Sequence, residues 1–208
     1  MQEGGKAMRY GMVIDLQRCV GCNSCTVACR AEHGTPAGIQ YHRVEKYEVG
    51  KYPTARMKFR PIPCMHCQDP PCLKVCPTGA TYQNEDGLVL IDDDKCMGCR
   101  YCVLACPYEN RQFLKTFENY YGSSSLTPYE VLKRKDFDKG TVVKCDFCVD
   151  RLAQGSLPAC VETCPAEARY FGDLDDPESE VSSLIASNGG TALREELGTM
   201  PSVYYIKG

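Results

Sequence analysis

The stretch Cys96-Met-Gly-Cys-Arg-Tyr-Cys-Val-Leu-Ala-Cys-Pro107 sets the plan of the whole chain. Its four cysteines are separated by two, two and three residues, and this spacing occurs twice in the sequence. Two further groups of four cysteines have related spacings, with a middle gap of four residues in one and of eleven in the other. All sixteen cysteines of the 208-residue chain fall into these four tetrads. In chain order the tetrads are Cys19, Cys22, Cys25 and Cys29; Cys64, Cys67, Cys72 and Cys76; Cys96, Cys99, Cys102 and Cys106; and Cys145, Cys148, Cys160 and Cys164.

Three kinds of chemistry use cysteines in such numbers. Disulfide frameworks are typical of shorter secreted chains with a signal peptide, and the N-terminal residues here contain no hydrophobic signal core. Structural zinc sites take two C-x-x-C pairs per ion and do not require three cysteines at successive two-residue gaps followed by x3-C-P. That run is the bacterial ferredoxin signature of a 4Fe-4S cluster. The spacing therefore favours four 4Fe-4S clusters and leaves zinc as the alternative.

The composition agrees with a chain built around metal. Leu, Ile, Val and Phe make up only about a fifth of the residues, while the formal net charge is just −3. Metal binding is then expected to supply much of the folding energy, and the cluster-free chain is expected to be largely unfolded. The balanced charge gives no general attraction to nucleic acid. No apolar run approaches the roughly 18–20 residues that a membrane span needs.

An internal repeat indicates how the tetrads are organised. Residues 11–29 and 87–106 each read as an apolar strand that ends at an aspartate, Asp15 or Asp92, four residues before a tetrad. The segments after Cys76 and Cys164 read as a short helix followed by a strand. The second and third tetrads lie close together, as in a two-cluster ferredoxin. The predicted fold class is α+β, with two nested bacterial 2×4Fe-4S ferredoxin-like units, irregular loops and a C-terminal extension.

This nesting divides the chain into four parts. Residues 8–60 with 141–172 form the outer ferredoxin-like unit, and residues 61–110 form the inner one. Residues 111–140 are an insertion whose aromatic side chains predict contact with a partner protein. Residues 173–208 form the C-terminal extension, predicted as a helix near Leu193 and a final extended segment. A hairpin is predicted over residues 41–60.

Four ligand sets follow if the paired tetrads exchange their fourth cysteines, as in two-cluster ferredoxins. The alternative, in which each tetrad closes on its own cluster, uses the same sixteen ligands with a different chain path. We name the exchanged sets sites 1 to 4. Site 1 is Cys19, Cys22, Cys25 and Cys164; site 2 is Cys29, Cys145, Cys148 and Cys160; site 3 is Cys64, Cys67, Cys72 and Cys106; and site 4 is Cys76, Cys96, Cys99 and Cys102.

Residues between the ligands are candidates for tuning the clusters. Gly21 and Gly98 would let backbone N–H groups approach a cluster without a Cβ in the way. Arg100 would either raise the potential of its cluster or simply face solvent. His66 lies between Cys64 and Cys67, but cysteine fills every ligand position, so His66 is predicted to pack beside the cluster. The remaining histidines, His33 and His42, are predicted to lie on the surface.

Three stretches resemble one known family. They are Cys145-Asp-Phe-Cys-Val-Asp-Arg-Leu152, Leu157-Pro-Ala-Cys-Val-Glu-Thr-Cys-Pro165 and Phe171-Gly-Asp-Leu-Asp-Asp-Pro-Glu-Ser179. Together with the four tetrads they resemble the four-cluster iron-sulfur (beta) subunit of the DMSO-reductase superfamily of molybdopterin oxidoreductases. Within that superfamily the chain resembles electron-transfer subunits of polysulfide, tetrathionate, thiosulfate, arsenate and selenate respiratory reductases.

The resemblance implies a role and a set of partners. The chain would be non-catalytic and would relay single electrons through its clusters. The relay would run between a membrane quinol subunit, or another donor, and a molybdopterin catalytic subunit, with molybdopterin only in that partner and no nucleic acid. It would lie peripherally at the cytoplasmic membrane, on the extracytoplasmic face by co-export, with the cytoplasm as the alternative. A free-standing polyferredoxin, or a hydrogenase or formate dehydrogenase subunit, is the alternative function.

Overall fold

The computed structural model describes residues 8–122 and 126–207. Short helices and short strands are mixed along the chain, in agreement with the predicted α+β class. The helices are α1 (Ser24–His33), α2 (Pro71–Lys74), α3 (Tyr101–Ala105), α4 (Pro128–Lys133), α5 (Val149–Ala153), α6 (Ala159–Glu162) and α7 (Glu180–Asn188), with 3-10 turns at Asp93–Lys95, Arg134–Asp136 and Glu195–Leu197. The strands are β1 (Tyr10–Asp15), β2 (Arg43–Val49), β3 (Arg56–Ile62), β4 (Thr81–Gln83), β5 (Val89–Ile91), β6 (Gln112–Phe113), β7 (Val142–Val143), β8 (Arg169–Asp173), β9 (Thr191–Ala192) and β10 (Val203–Ile206).

The largest sheet joins the two ends of the described chain. Its order is β8-β1-β10-β9, with β1 antiparallel to β8 and parallel to β10. The side chains of Met12, Val13 and Ile14 on β1 are fully buried, and Val181 of α7 packs against Val13. The final segment, predicted to be extended, is thus an inner strand of this sheet. The helix predicted near Leu193 is only a 3-10 turn.

Three hairpins complete the strands. β2 pairs with β3 in the hairpin predicted over residues 41–60, and the pairing continues to Ile62. β4 pairs with β5 inside the inner unit, and β6 pairs with β7 across the base of the insertion. The short helix predicted after Cys76 and after Cys164 is a turn instead. Helices α2 and α6 precede these two cysteines, and β4 and β8 follow them.

Cysteines form part of the main core. Cys25, Cys67, Cys145 and Cys160 pack with apolar residues such as Phe147 in one buried cluster. This arrangement explains how a chain so poor in aliphatic residues forms a core at all. Within the described residues, no helix is long and apolar enough to cross a membrane.

The insertion has a buried side and an exposed side. Leu114 and Phe137 pack with Ile39 in a small core of their own. Tyr121 and Leu132, by contrast, are 68% and 62% exposed. The insertion is therefore anchored to the body by its base and exposes several apolar side chains on its outer side.

Candidate metal centres

Sites 1 and 4 each surround a small cavity. Cys19, Cys22, Cys25 and Cys164 line the first cavity, and Cys76, Cys96, Cys99 and Cys102 line the second. In both, three cysteines from one tetrad meet the last cysteine of a different tetrad. The cysteines of these two predicted sets are thus brought together in space.

The cysteines of site 3 are close neighbours within the protein. Burial raises the pKa of the Cys67 thiol to about 12, and the thiolates of Cys64, Cys72 and Cys106 add to the shift. These four residues are the predicted site 3.

Site 2 shows the same grouping. Burial raises the pKa of the Cys148 thiol to about 12, with a further contribution from Cys160. Burial, Cys160 and Cys148 raise the pKa of Cys29, and burial together with Cys29 raises the pKa of Cys145. Such thiols are protonated at neutral pH unless a metal ion takes the place of the proton.

Two glycines allow the chain to turn tightly at sites 1 and 4. Gly21 and Gly98 have φ angles of 66° and 69°, a conformation that favours glycine. A Cβ on Gly98 would lie 2.0 Å from the carbonyl oxygen of Gly140, and one on Gly21 would lie 2.1 Å from the Phe59 ring. Both positions therefore require glycine for conformation and for space.

Backbone donors point at the sulfur atoms of two fourth cysteines. The N–H of Thr81 donates to Cys76 Sγ and the N–H of Ala168 donates to Cys164 Sγ, each at 3.4 Å. Hydrogen bonds to sulfur are a feature of iron–sulfur sites and tune their potentials. All-thiol donor sets with N–H groups aimed at the sulfurs fit 4Fe-4S clusters.

His66 is fully buried and uses both ring nitrogens for backbone contacts. Nδ1 accepts a hydrogen bond from the N–H of Val89 at 3.1 Å, so Nε2 carries the proton and donates to the carbonyl oxygen of Cys145 at 3.1 Å. Burial lowers the pKa of His66 well below its ordinary value. This neutral ring packs beside the ligands, as predicted.

The prediction that His42 lies on the surface is wrong, and His33 is only partly exposed, with 17% of its side chain accessible. His42 is 2% exposed; its Nε2 accepts a hydrogen bond from Arg169 Nη1 at 2.8 Å. His33 Nε2 lies 3.4 Å from Cys148 Sγ. His33 follows Cys29 by four residues on α1, so helical periodicity could have placed it near site 2. Nothing in the local sequence marks His42, because its partner is 127 residues away.

Three buried cations near the cysteines were not expected from the sequence. Arg111, Lys144 and Arg169 are each at most 5% exposed. The two arginines stand five residues after Cys106 and Cys164, the last cysteines of the third and fourth tetrads. That equivalence is a signal that could have found them. Arg100, which was singled out, is exposed and lies over the Phe113 ring, with its guanidinium carbon 4.3 Å from the ring centroid.

An α+β fold with sixteen cysteines gathered in this way defines an iron–sulfur protein of ferredoxin-like architecture. The 4Fe-4S dicluster domain matches the chain over residues 18–80 with one family model, and over residues 55–120 and 112–174 with another.

Curated relatives narrow the class. The chain is 49% identical over 210 residues to a subunit of the selenate reductase of Mesobacillus selenatarsenatis, covering 96% of this chain and 72% of the relative. It is 41% identical over 228 residues to the arsenate respiratory reductase iron-sulfur subunit ArrB of a Shewanella species, covering 96% and 97%. It is 38% identical over 203 residues to one of the chains of the polysulfide reductase of Wolinella succinogenes, covering 96% and 95%. The chain belongs to this family of iron–sulfur subunits of respiratory reductases, and its function is electron transfer rather than catalysis.

Proposed function

We propose that the chain holds four 4Fe-4S clusters, one at each of sites 1 to 4, and relays single electrons through them. The observation that carries this proposal is the meeting of Cys164 with Cys19, Cys22 and Cys25 around one cavity, with its counterpart at site 4. A 4Fe-4S cluster held at each site would supply one-electron transfer. The chain itself positions the four sites and buries every cysteine of site 2.

Electrostatic interactions between neighbouring sites support a single row in the order 1, 2, 3, 4. Burial lowers the pKa of Arg169, but Cys160 of site 2 and Cys25 of site 1 both raise it. Cys64 of site 3 adds to the effect of burial and of Cys29 in raising the pKa of the Cys145 thiol of site 2. Burial lowers the pKa of Arg111, but Cys72 of site 3 and Cys102 of site 4 both raise it. The nested ferredoxin units thereby become the two halves of one row.

Exposure supports entry and exit of electrons at the two ends of the row. Cys22 of site 1 is exposed, and beside site 4 the side chains of Met97 and Leu104 are 66% and 84% exposed. In site 2, by contrast, every cysteine of the set is buried. Electrons would therefore exchange with partners at sites 1 and 4.

The partners follow from the family. The relatives are named as subunits of selenate, arsenate and polysulfide reductases, which implies a catalytic partner. We infer that this partner is a molybdopterin subunit and that a membrane quinol subunit, or another donor, serves the opposite end. The complex would lie peripherally at the cytoplasmic membrane, on its extracytoplasmic face, by co-export with the catalytic subunit.

Iron analysis of paired cysteine variants tests the ligand sets. Anaerobically purified wild-type chain should contain about sixteen irons and no stoichiometric zinc. The double variant Cys19→Ser/Cys164→Ser should lose only one cluster, about four irons, because both residues serve site 1. If each tetrad closed on its own cluster, the same variant would damage two clusters. The matched control is Cys19→Ser/Cys29→Ser. It should damage two clusters, at sites 1 and 2, if the tetrads exchange their fourth cysteines, and only one cluster if each tetrad closes on its own.

Purification of the native assembly tests the relay role. A large molybdenum-containing protein should co-purify with the chain, and addition of a quinol analogue to the whole assembly should reduce the chain's clusters. A stable monomer that exchanges electrons with soluble donors alone would identify a free-standing polyferredoxin instead.

A further inference from the structure

Three buried cations share a feature that the electron-transfer role does not by itself explain. Among the described residues, none of Arg111, Lys144 and Arg169 makes an ion pair with a carboxylate. A buried charge without a counter-ion is strongly destabilising, so each must be compensated by something else. The cysteine sulfurs are the anionic groups available around them.

Arg169 lies between sites 1 and 2. It lines the cavity of site 1. Burial lowers the pKa of Arg169, but the negative charges of Cys160 from site 2 and of Cys25 and Cys164 from site 1 raise it. Its Nη1 donates to His42 at 2.8 Å and its Nη2 contacts Met12 Sδ at 3.0 Å. The Nε atom is buried and has no hydrogen-bond partner among the described residues.

Arg111 has the equivalent place between sites 3 and 4. It lines the cavity of site 4. Burial lowers the pKa of Arg111, but the negative charges of Cys72 and Cys64 from site 3 and of Cys102 from site 4 raise it. Its Nη1 donates to Thr81 Oγ1 at 2.9 Å, while Nη2 is buried without a partner among the described residues. Each arginine thus lines a cavity that is also lined by the cysteines of one site.

Lys144 lies between sites 2 and 3. Its Nζ donates to the carbonyl oxygen of Cys145, a site 2 residue, at 2.6 Å. Burial raises the pKa of the Cys72 thiol of site 3, and the Lys144 ammonium opposes that shift. His66 donates to the same Cys145 carbonyl, so the two donors share one acceptor at this middle gap.

We propose that each of the three gaps in the row contains one cation that compensates the negative charge held at the sites on both sides and thereby raises their midpoint potentials. The proposal rests on the ligand sets of the proposed function. A cluster ligated by four thiolates gains negative charge on reduction, so a nearby fixed cation favours its reduced form. The effect is large only where water is excluded, because solvent screens an exposed charge such as that of Arg100.

A redox titration of charge variants tests the proposal, with EPR of the anaerobically purified holo chain as the readout for each cluster. Arg169→Gln should lower the reduced-to-oxidised ratio of the clusters at sites 1 and 2 at least tenfold at fixed potential, a downward shift of about 59 mV or more for a one-electron couple. The clusters at sites 3 and 4 should not move. Arg111→Gln should give the mirror result, and Arg169→Lys, which keeps the charge, should stay near wild type. Arg100→Gln is the matched control and should shift site 4 less than Arg111→Gln does.

Iron content, measured on every variant, makes all outcomes decisive. Loss of iron from Arg169→Gln with retention in Arg169→Lys also supports the proposal, because charge then decides whether the clusters are kept. Full iron content with unshifted potentials in the glutamine variants overturns it. A lysine variant that behaves like the glutamine variant overturns it too, because shape rather than charge would then matter. The iron content of the wild-type chain reports separately on the proposed function.

Discussion

The imidazole ring of His66 stacks on the ring of Phe147, with centroids 3.9 Å apart and planes inclined by 24°. His66 lies between two cysteines of site 3, and Phe147 lies between two cysteines of site 2. Both side chains are at most 1% exposed. Phe171 of β8 packs edge-on against Phe147, with ring centroids 5.3 Å apart. This aromatic stack, together with the hydrogen bond from His66 to the carbonyl oxygen of Cys145, joins residues 61–110 to residues 141–172 between sites 2 and 3.

Phe147→Ala should destabilise the holo protein by about 3–5 kcal/mol, because it removes a fully buried ring and leaves a cavity between the two units. Anaerobic denaturant unfolding, followed by the loss of cluster absorbance near 400 nm, would measure the change. Tyr121→Ala removes an aromatic ring that is 68% exposed and serves as the control, with an expected change within about 0.5 kcal/mol. Equal destabilisation by the two substitutions would show that the stack does not join the units.

The sequence alone predicted those features of the fold that depend on local spacing. Cysteine gaps, the strand before each tetrad and the repeat between residues 11–29 and 87–106 are all local patterns, and they led to the nested units. Residues whose role depends on distant partners were missed. Arg169 meets His42 across 127 positions, and β10 finds β1 across nearly the whole chain. Such contacts leave no periodic signature, so composition and spacing cannot reveal them.

Gly98→Ala should be far more damaging than the same change at Gly79. Both residues have positive φ angles, 69° and 67°, so each substitution incurs a similar conformational cost of about 1 kcal/mol. A Cβ at Gly98 would also collide with the Gly140 carbonyl at 2.0 Å, whereas a Cβ at Gly79 has nothing within 4 Å. We expect Gly98→Ala to lose iron from site 4, measured by iron analysis and EPR, and Gly79→Ala to retain it. Full iron content in Gly98→Ala would mean that the Gly140 backbone moves aside readily.

His42 should make the stability of the protein fall in mild acid. Burial, together with the nearby cations Arg169 and Arg43, lowers the pKa of His42 well below its ordinary value. The unfolded chain therefore binds a proton below about pH 6.5 that the folded chain does not. The stability that depends on neutral His42 is complete above that pH and is lost as the pH falls, by about 1.4 kcal/mol per pH unit.

The variant His42→Gln isolates this contribution, because glutamine can still accept the hydrogen bond from Arg169 without titrating. Denaturant unfolding of both holo proteins from about pH 8 to about pH 5.5 would give the difference in stability between them, in which acid damage common to both cancels. We expect that difference to be constant above about pH 7.5 and to shift against the wild type below about pH 6.5. A difference that stays constant over the whole range would contradict the buried, neutral state of His42.

The exposed side of the insertion should contribute to partner binding. Val131 and Leu132 on α4 are 51% and 62% exposed, while Leu114 and Phe137 anchor the base of the insertion in its own small core. Leu132→Glu should therefore leave iron content and stability unchanged within about 0.5 kcal/mol, because nothing buried is altered. If this surface contacts the catalytic subunit, the same substitution should weaken the complex by about 1 kcal/mol or more, roughly a fivefold or greater rise in Kd. Anaerobic titration of the purified catalytic subunit with wild-type and variant chains would measure it, with Met57→Glu, at an exposed position of the β2–β3 hairpin, as the matched control. Equal affinities for all three chains would show that the insertion faces solvent in the complex.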